Sequence, residues 1–408
     1  MSTVPVFWSR VLILIDANPT PLLAIQSYLE WTRDVPLDVN VIRKPGAFDE
    51  DDPDEKARVK AVVDLLGSHV HRCRSLQFDV LYSSSLPSPC RDFHGRAPEL
   101  EKLELKCRVD DGGNNPPDTF EPGTFLCPVL QTLVIDARNF MINAWTFINA
   151  NSIKISRFSP SESVDYDDSL SFHGMLETLQ EFLKLRSLTL SDIDFDFSDG
   201  SAHIFPLSPL SSLTFEDLTV DTLQEFFDVT SVHTGSITIT RCSIDTFTNM
   251  SCTQLTLGEI PAEENLTEFL KLWEGQDLQL DNCPSFDDSV LDMMSKADPL
   301  GVDFGATNMN ELTISDCHNF SVEALKAMVD VRSRTASTFE LEDDDWDDLD
   351  PSPVSRIGRL IVVGSGPLIL PEVAKWFQAN VEIFHWCTKL PDGRMCRDGV
   401  VLERQEED

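Results

Sequence analysis

The chain has no C-x-x-C pair, no apolar run near the ~18 residues of a membrane-spanning helix, and little positive charge for its size. Each shortage excludes something. Lys and Arg number 32 against 69 Asp and Glu, for a formal net charge of −37. Nucleic-acid binding depends on cations that neutralise phosphates, so the chain is predicted not to bind nucleic acid, nor an anionic membrane surface. A charge of this sign suits a basic protein partner, and it also keeps a protein soluble. The ten cysteines are scattered through 408 residues, unlike the dense pattern of a small disulfide-stapled domain. They predict reduced, mostly buried thiols and an intracellular protein, cytoplasmic or nuclear. The N-terminus, MSTVPVFWSRVLILID, has no basic stretch before its short apolar run and is not a secretory signal. The three sequons at Asn249, Asn265 and Asn319 are therefore predicted to stay unglycosylated.

Catalytic signatures are missing as well. G-x-S-x-G, H-E-x-x-H and G-x-x-x-x-G-K-[ST] do not occur. His69-x-His71-x-Cys73 is reminiscent of a metal site, but residues two apart at a helix end do not share a face, and no second ligand pair follows at a useful spacing. The same holds for His385 and Cys387. Gly364-Ser365-Gly366-Pro367 is a glycine-rich turn with no lysine to meet a phosphate. The expectation is a non-enzymatic protein with no metal and no cofactor.

What the chain does have is one phrase, repeated. Ile237-x-Ile239-x-x-Cys242, Leu278-x-Leu280-x-x-Cys283 and Leu312-x-Ile314-x-x-Cys317 each set two apolar residues at alternate positions, with a cysteine three later. This is the leucine-rich-repeat signature in its cysteine form. Without the cysteine it recurs as Leu76-x-Phe78, Leu103-x-Leu105, Leu133-x-Ile135, Ile153-x-Ile155, Leu188-x-Leu190, Leu213-x-Phe215, Leu255-x-Leu257 and Leu360-x-Val362. Starts fall 18 to 48 residues apart, so the array is irregular. The predicted fold is α/β: a leucine-rich-repeat solenoid with a curved parallel sheet inside and helices and loops outside.

The segments between strands carry helical periodicity. Val59, Val62, Val63, Leu66 and Val70 predict an amphipathic helix over 56–70. Met175, Leu176, Leu179, Phe182 and Leu183 predict another. Ser321 is placed to cap a helix, and Pro371 suits the first turn of one burying Val373, Trp376 and Phe377. Residues 110–123 are turn formers almost throughout. The predicted organisation is a strand-helix-strand-helix segment over 1–75 continuous with the array, irregular repeats over 76–338, an acidic flexible insertion over 339–355, a C-terminal repeat or cap over 356–390, and a charged tail over 391–408.

In such a strand the two apolar residues point into the core, so the residue between them faces outward. Those middle residues are Gln77, Glu104, Val134, Lys154, Thr189, Thr214, Thr238, Thr256, Gln279, Thr313 and Ile361. Five are threonine, a good strand former that tolerates water. The candidate binding stripe is the neutral part: Thr189, Thr214, Thr238, Thr256, Gln279 and Thr313.

VPVFWSRVLILID, YLEWTRDVPLDVNV, VVDLLGSHVHRCRSLQFDV and APELEKLEL, all within the first 105 residues, resemble the leucine-rich region of the F-box proteins of mushroom-forming basidiomycete fungi. The similarity continues more loosely through LRSLTLSDI, NELTISDC and the Trp376–Trp386 stretch. It implies the substrate-recognition part of a receptor for a cullin-type ubiquitin ligase. Family members carry a helical box ahead of this region that docks on a Skp-type adaptor. Here Met1 falls where that box should be ending, so the F-box itself is expected to be missing or truncated. A Skp-type adaptor would then be a partner only if a box lies upstream. The alternative is a stand-alone repeat scaffold with no ligase coupling.

Overall fold

Alternating apolar residues become strands and 3.6-periodic stretches become helices over most of the chain. The structure, a computed structural model, describes residues 9–44, 52–111, 125–158, 171–195, 204–231, 233–247, 250–296, 305–342, 354–389 and 394–401. Phe7 and Trp8 of the N-terminal phrase, Asn249, most of the 110–123 loop, the heart of the acidic insertion and the end of the tail lie outside these residues. Contacts divide the chain into two compact units, Met1–Leu210 and Ser211–Asp408. The division falls inside the 76–338 span that the sequence reads as one array.

Among the described residues the first unit gives seven strands to the long sheet: β1 (Arg10–Leu14), β2 (Leu37–Ile42), β3 (Cys73–Tyr82), β4 (Lys102–Val109), β5 (Thr132–Asp136), β6 (Ser152–Phe158) and β7 (Ser187–Ile193). Each pairs in parallel with the next in chain order. The register stacks the apolar positions in two rows. One runs Val11, Val39, Leu76, Leu103, Leu133, Ile153, Leu188, and every member is at most 3% exposed. A one-residue slip would turn each such row to water, so burial on one face holds the alignment. Val11-x-Ile13 and Val39-x-Val41 extend the repeated phrase two strands toward the N-terminus.

The second unit begins with β8 (Leu210–Glu216), followed by β9 (Thr234–Thr240), β10 (Cys252–Gly258), β11 (Asp277–Asp281), β12 (Glu311–Ser315), β13 (Arg359–Gly364) and β14 (Ile383–Lys389). From β9 to β14 the pairing is parallel and in chain order. Two short antiparallel strands, β15 (Met395–Arg397) and β16 (Val400–Val401), close it. Phe384 and Trp386 take the two core positions beside Leu360 and Val362.

Among the described residues, α-helices occupy the connections: α1 (Leu22–Trp31), α2 (Glu55–Leu66), α3 (Pro89–Asp92), α4 (Ala137–Asn143), α5 (Phe172–Gln180), α6 (Val220–Val229), α7 (Leu266–Lys271), α8 (Asp288–Ser295), α9 (Val322–Glu342) and α10 (Pro371–Asn380). They lie against the apolar rows. Phe226 of α6 meets Phe215 of β8 edge-on at 5.0 Å, and Phe377 of α10 stacks on Phe384 of β14 at 5.4 Å. Side chains cap several starts: Ser171 accepts from Gly174 N, Thr219 from Thr222 N, Asp287 from Ser289 N, and Ser321 from Ala324 N.

Some boundaries differ from the sequence reading. α2 stops at Leu66 and a 3-10 turn carries the chain to Arg72. Arg72 is buried and donates to Thr32 Oγ1 at 2.7 Å and to the Leu29 carbonyl at 2.6 Å, so it ties off the end of α1. α5 ends at Gln180, which leaves Leu183 outside it and 81% exposed. α10 buries Phe377 as expected, but Val373 and Trp376 are half-buried and Ala374 is the other buried residue. α9 runs to Glu342, so the first residues of the predicted 339–355 insertion are helical.

Candidate functional site

The outward positions of the strands form a grid whose rows the register aligns. In the second unit the middle row runs Thr238, Thr256, Gln279, Thr313, Ile361 and His385, each the paired neighbour of the next. Of the six residues of the predicted stripe, the structure brings Thr238, Thr256, Gln279 and Thr313 together in this row. Thr214 occupies the matching outward position on neighbouring β8. Thr189 lies in the first unit, paired with Lys154. All six are half-buried, as a side chain flanked by strands on either side must be. Two other middle positions are more enclosed: Glu104 is 7% and Val134 8% exposed.

Acidic groups stand on either side of the threonine row over β11 and β12. Asp277 and Glu311 sit one step earlier, with Arg359 reaching Glu311 at 3.5 Å. Asp281 sits one step later. Burial raises its carboxyl, and the charges of Asp316 and Glu259 push it up further. Gln279 donates to Asp277 at 3.2 Å. Burial raises Asp277 too, against that hydrogen bond and with Glu311 adding to the rise.

Where each strand turns away, the backbone crosses into the left-handed region, at Arg157, Asp192, Asp217, Arg241, Glu259, Asn282, Asp316 and Gly364. All stand four residues after the first apolar residue of the repeated phrase in their strand. Asn, Asp and Gly tolerate this conformation best. The corner N–H groups continue the ladder: Asp217 N donates to Thr240 O, Arg241 N to Gly258 O, Glu259 N to Asp281 O, Asn282 N to Ser315 O and Asp316 N to Val363 O, at 2.8–3.0 Å. Their side chains make an exposed charged ridge, with Arg241 2.7 Å from Asp217 and 3.3 Å from Glu259. The corner was missed in the sequence, although Asp, Asn or Gly at that fixed offset is a readable signal.

The cysteine that follows the corner is structural. Cys242, Cys283 and Cys317 are at most 1% exposed. Cys242 Sγ accepts from Leu218 N at 3.4 Å, and Cys317 Sγ from Cys283 N at 3.3 Å. Each thiol donates in return to the carbonyl two residues before it. Burial pushes the Cys242 thiol up to about 11, so it stays protonated and unreactive at neutral pH. All ten cysteines are free. Ile193, Leu218 and Ile260 fill the same slot in other strands.

The first unit presents a different grid. Lys102, Glu104, Lys106 and Arg108 alternate outward on β4, with Asp79 paired to Lys106, and Val134 between Glu104 and Lys154. Glu104 accepts from Lys102 at 2.7 Å and Lys106 at 2.8 Å. Burial raises its carboxyl, but the two lysines outweigh that and hold it below the ordinary carboxylate range. Asp136, at the end of β5, is buried and caps α4 by accepting from Asn139 N at 2.9 Å. Burial pushes it up to about 6 from an ordinary 3.8, against the hydrogen bonds from Asn139.

His69, His71 and Cys73 do not converge on a point. His69 Nδ1 lies 3.3 Å from Arg72, and Cys73 donates to the His69 carbonyl. Among the described residues no group of three or more His, Cys, Asp or Glu could hold a metal ion. A groove of about 460 Å³ beside α1 and α2 is lined mainly by Leu14, Pro19, Pro21, Leu22, Ala57 and Ala61, with Arg58 at its wall. The Arg58 guanidinium is already engaged with the Ile15 carbonyl and Asp52. No helix among the described residues is long and apolar enough to cross a membrane. No protein-family model, curated protein or solved structure matches this chain.

Proposed function

We propose that this chain is a non-enzymatic, protein-binding module of leucine-rich-repeat type, resembling the substrate-recognition part of an F-box receptor, in which the outward rows of the strands hold a protein partner. The observation that carries the reading is the in-register row Thr238, Thr256, Gln279, Thr313. Four adjacent parallel strands offer neutral hydrogen-bonding side chains at one level, about 4.8 Å apart. Parallel sheets are ordinarily covered on both faces, and a face left with such a row has area to give to a partner. Recognition of this kind uses shape and hydrogen bonding across many strands and needs no nucleophile or metal. Ten free thiols fit a reducing compartment, which agrees with work inside the cell.

The test is affinity capture with the full chain and with a Thr256→Arg/Thr313→Arg variant, whose bulky cations interrupt the row without touching the core. Proteins retained by the wild type and lost with the variant, at equal thermal stability, support the reading. An identical set from both chains would overturn it. Recovery of a Skp-type adaptor and a cullin with the natural gene product supports ligase coupling. Face-dependent partners that come without them make the protein a stand-alone scaffold.

A further inference from the structure

The net charge of −37 points toward basic partners, yet the accessible tips on the outward face of the first unit have the opposite sign. Over β4 to β6 these are Lys102, Lys106, Arg108, Lys154 and, at its left-handed corner, Arg157. Side chains of Lys102, Lys106 and Arg157 are 47%, 40% and 44% exposed. Two of the carboxylates among them lie lower. Glu104 is 7% and Asp136 2% exposed, while Asp79 and Asp192 are the accessible ones, near Arg108 and Arg157. Glu104 anchors two lysines at once, so one sunken negative charge positions two raised positive ones. The arrangement is the reverse of the second unit, where Asp277, Asp281, Glu311 and Glu259 surround the threonine row.

We propose that this cationic strip docks an acidic, extended segment of a protein partner. The proposal rests on the reading of the outward rows as a binding face and adds the chemistry of one part of it. Charge complementarity selects the occupant. In a chain with more than two carboxylates for each cation, a patch of raised cations repels the rest of its own surface type and attracts the opposite one. Geometry sets the spacing. β4 and β6 are two strands apart, roughly 10 Å, and a peptide crossing them in the extended polyproline-II form advances about 3.1 Å per residue with three residues per turn. Carboxylates at every third position therefore reach Lys102 or Lys106 with one group and Lys154 with the next. Val134 on β5 lies between, an apolar floor for the intervening residue.

The experiment is fluorescence anisotropy of the full chain with a labelled, extended peptide carrying Glu at every third position. Matched peptides carry Gln or Lys instead, and a single-stranded oligonucleotide of equal charge is run beside them. Expected is binding of the Glu peptide alone, weakened roughly tenfold on raising salt from ~0.05 to ~0.3 M, and by about as much in Lys106→Gln/Lys154→Gln. Lys296→Gln, which removes an exposed cation just after α8 in the second unit, should leave binding unchanged. Equal binding of the Glu and Gln peptides overturns the proposal without using any variant. Tighter binding of the oligonucleotide overturns it in favour of nucleic acid. Failure here, with partners still lost in Thr256→Arg/Thr313→Arg, removes the acidic-segment assignment and leaves the binding-face reading standing.

Discussion

Arg332 on α9 is fully buried, and its guanidinium shares five N–H donors among six backbone carbonyls: Ser355, Met294, Gly305, Ala306, Thr307 and Met309, at 3.0–3.4 Å. Among the described residues no carboxylate pairs with it. Burial lowers it to about 9 from 12.5. At ~1.4 kcal/mol per pH unit, that fall corresponds to a burial cost on the order of 5 kcal/mol. Hydrogen bonds from a charged donor are worth roughly 1.5–3 kcal/mol each, so the five that its N–H groups can make exceed the cost. Arg332→Met relieves the buried charge but leaves carbonyls of the 305–309 turn, the end of α8 and the chain entering β13 without donors. The expected loss is about 3–5 kcal/mol, the class of change produced by stripping a buried charged group from its partners. Arg332→Lys keeps the charge with three donors in place of a five-donor fork, and should lose about 2–4 kcal/mol. A urea titration followed by tryptophan fluorescence reports on this unit, because Trp273 and Trp386 are buried in it at 1% and 0% exposure. A loss below about 1 kcal/mol for Arg332→Met, at unchanged m-value, would show that water satisfies those carbonyls and that Arg332 does not clamp them.

Leu280 fills a core position of β11 at 1% exposure. Leu280→Ala should destabilise by about 2–5 kcal/mol in a denaturant titration, and a change under about half a kcal/mol would mean that the strand faces the other way. Asp136 titrates near 6 when folded and at 3.8 ordinarily. Between those values the native state keeps a proton that the unfolded chain has lost, so the group's contribution to stability falls as pH rises through the window. Asp136→Asn should flatten that part of a plot of Tm against pH, and parallel profiles for the two proteins would refute the assignment.

The repeated L-x-L phrase was enough to place eleven strands, because a period of two with one buried face permits a single orientation for each. It also placed Thr238, Thr256, Gln279 and Thr313 at the outward positions that the register aligns in one row. Sequence patterning alone further separated the helices that bury Val59, Val62 and Val63 or Met175, Leu176 and Leu179. Tertiary structure decided the rest. Which cysteines serve as acceptors depends on the neighbouring repeat's N–H, which no local pattern encodes. The left-handed corner at Arg241 or Glu259 is held by the ladder bond to the next strand, against the preference of those residues. The cationic strip arises because strands separated by some fifty residues bring Lys106 and Lys154 to one face and draw Glu104 beneath. Net charge sums a chain without regard to depth, whereas a partner meets only the groups that folding leaves on top.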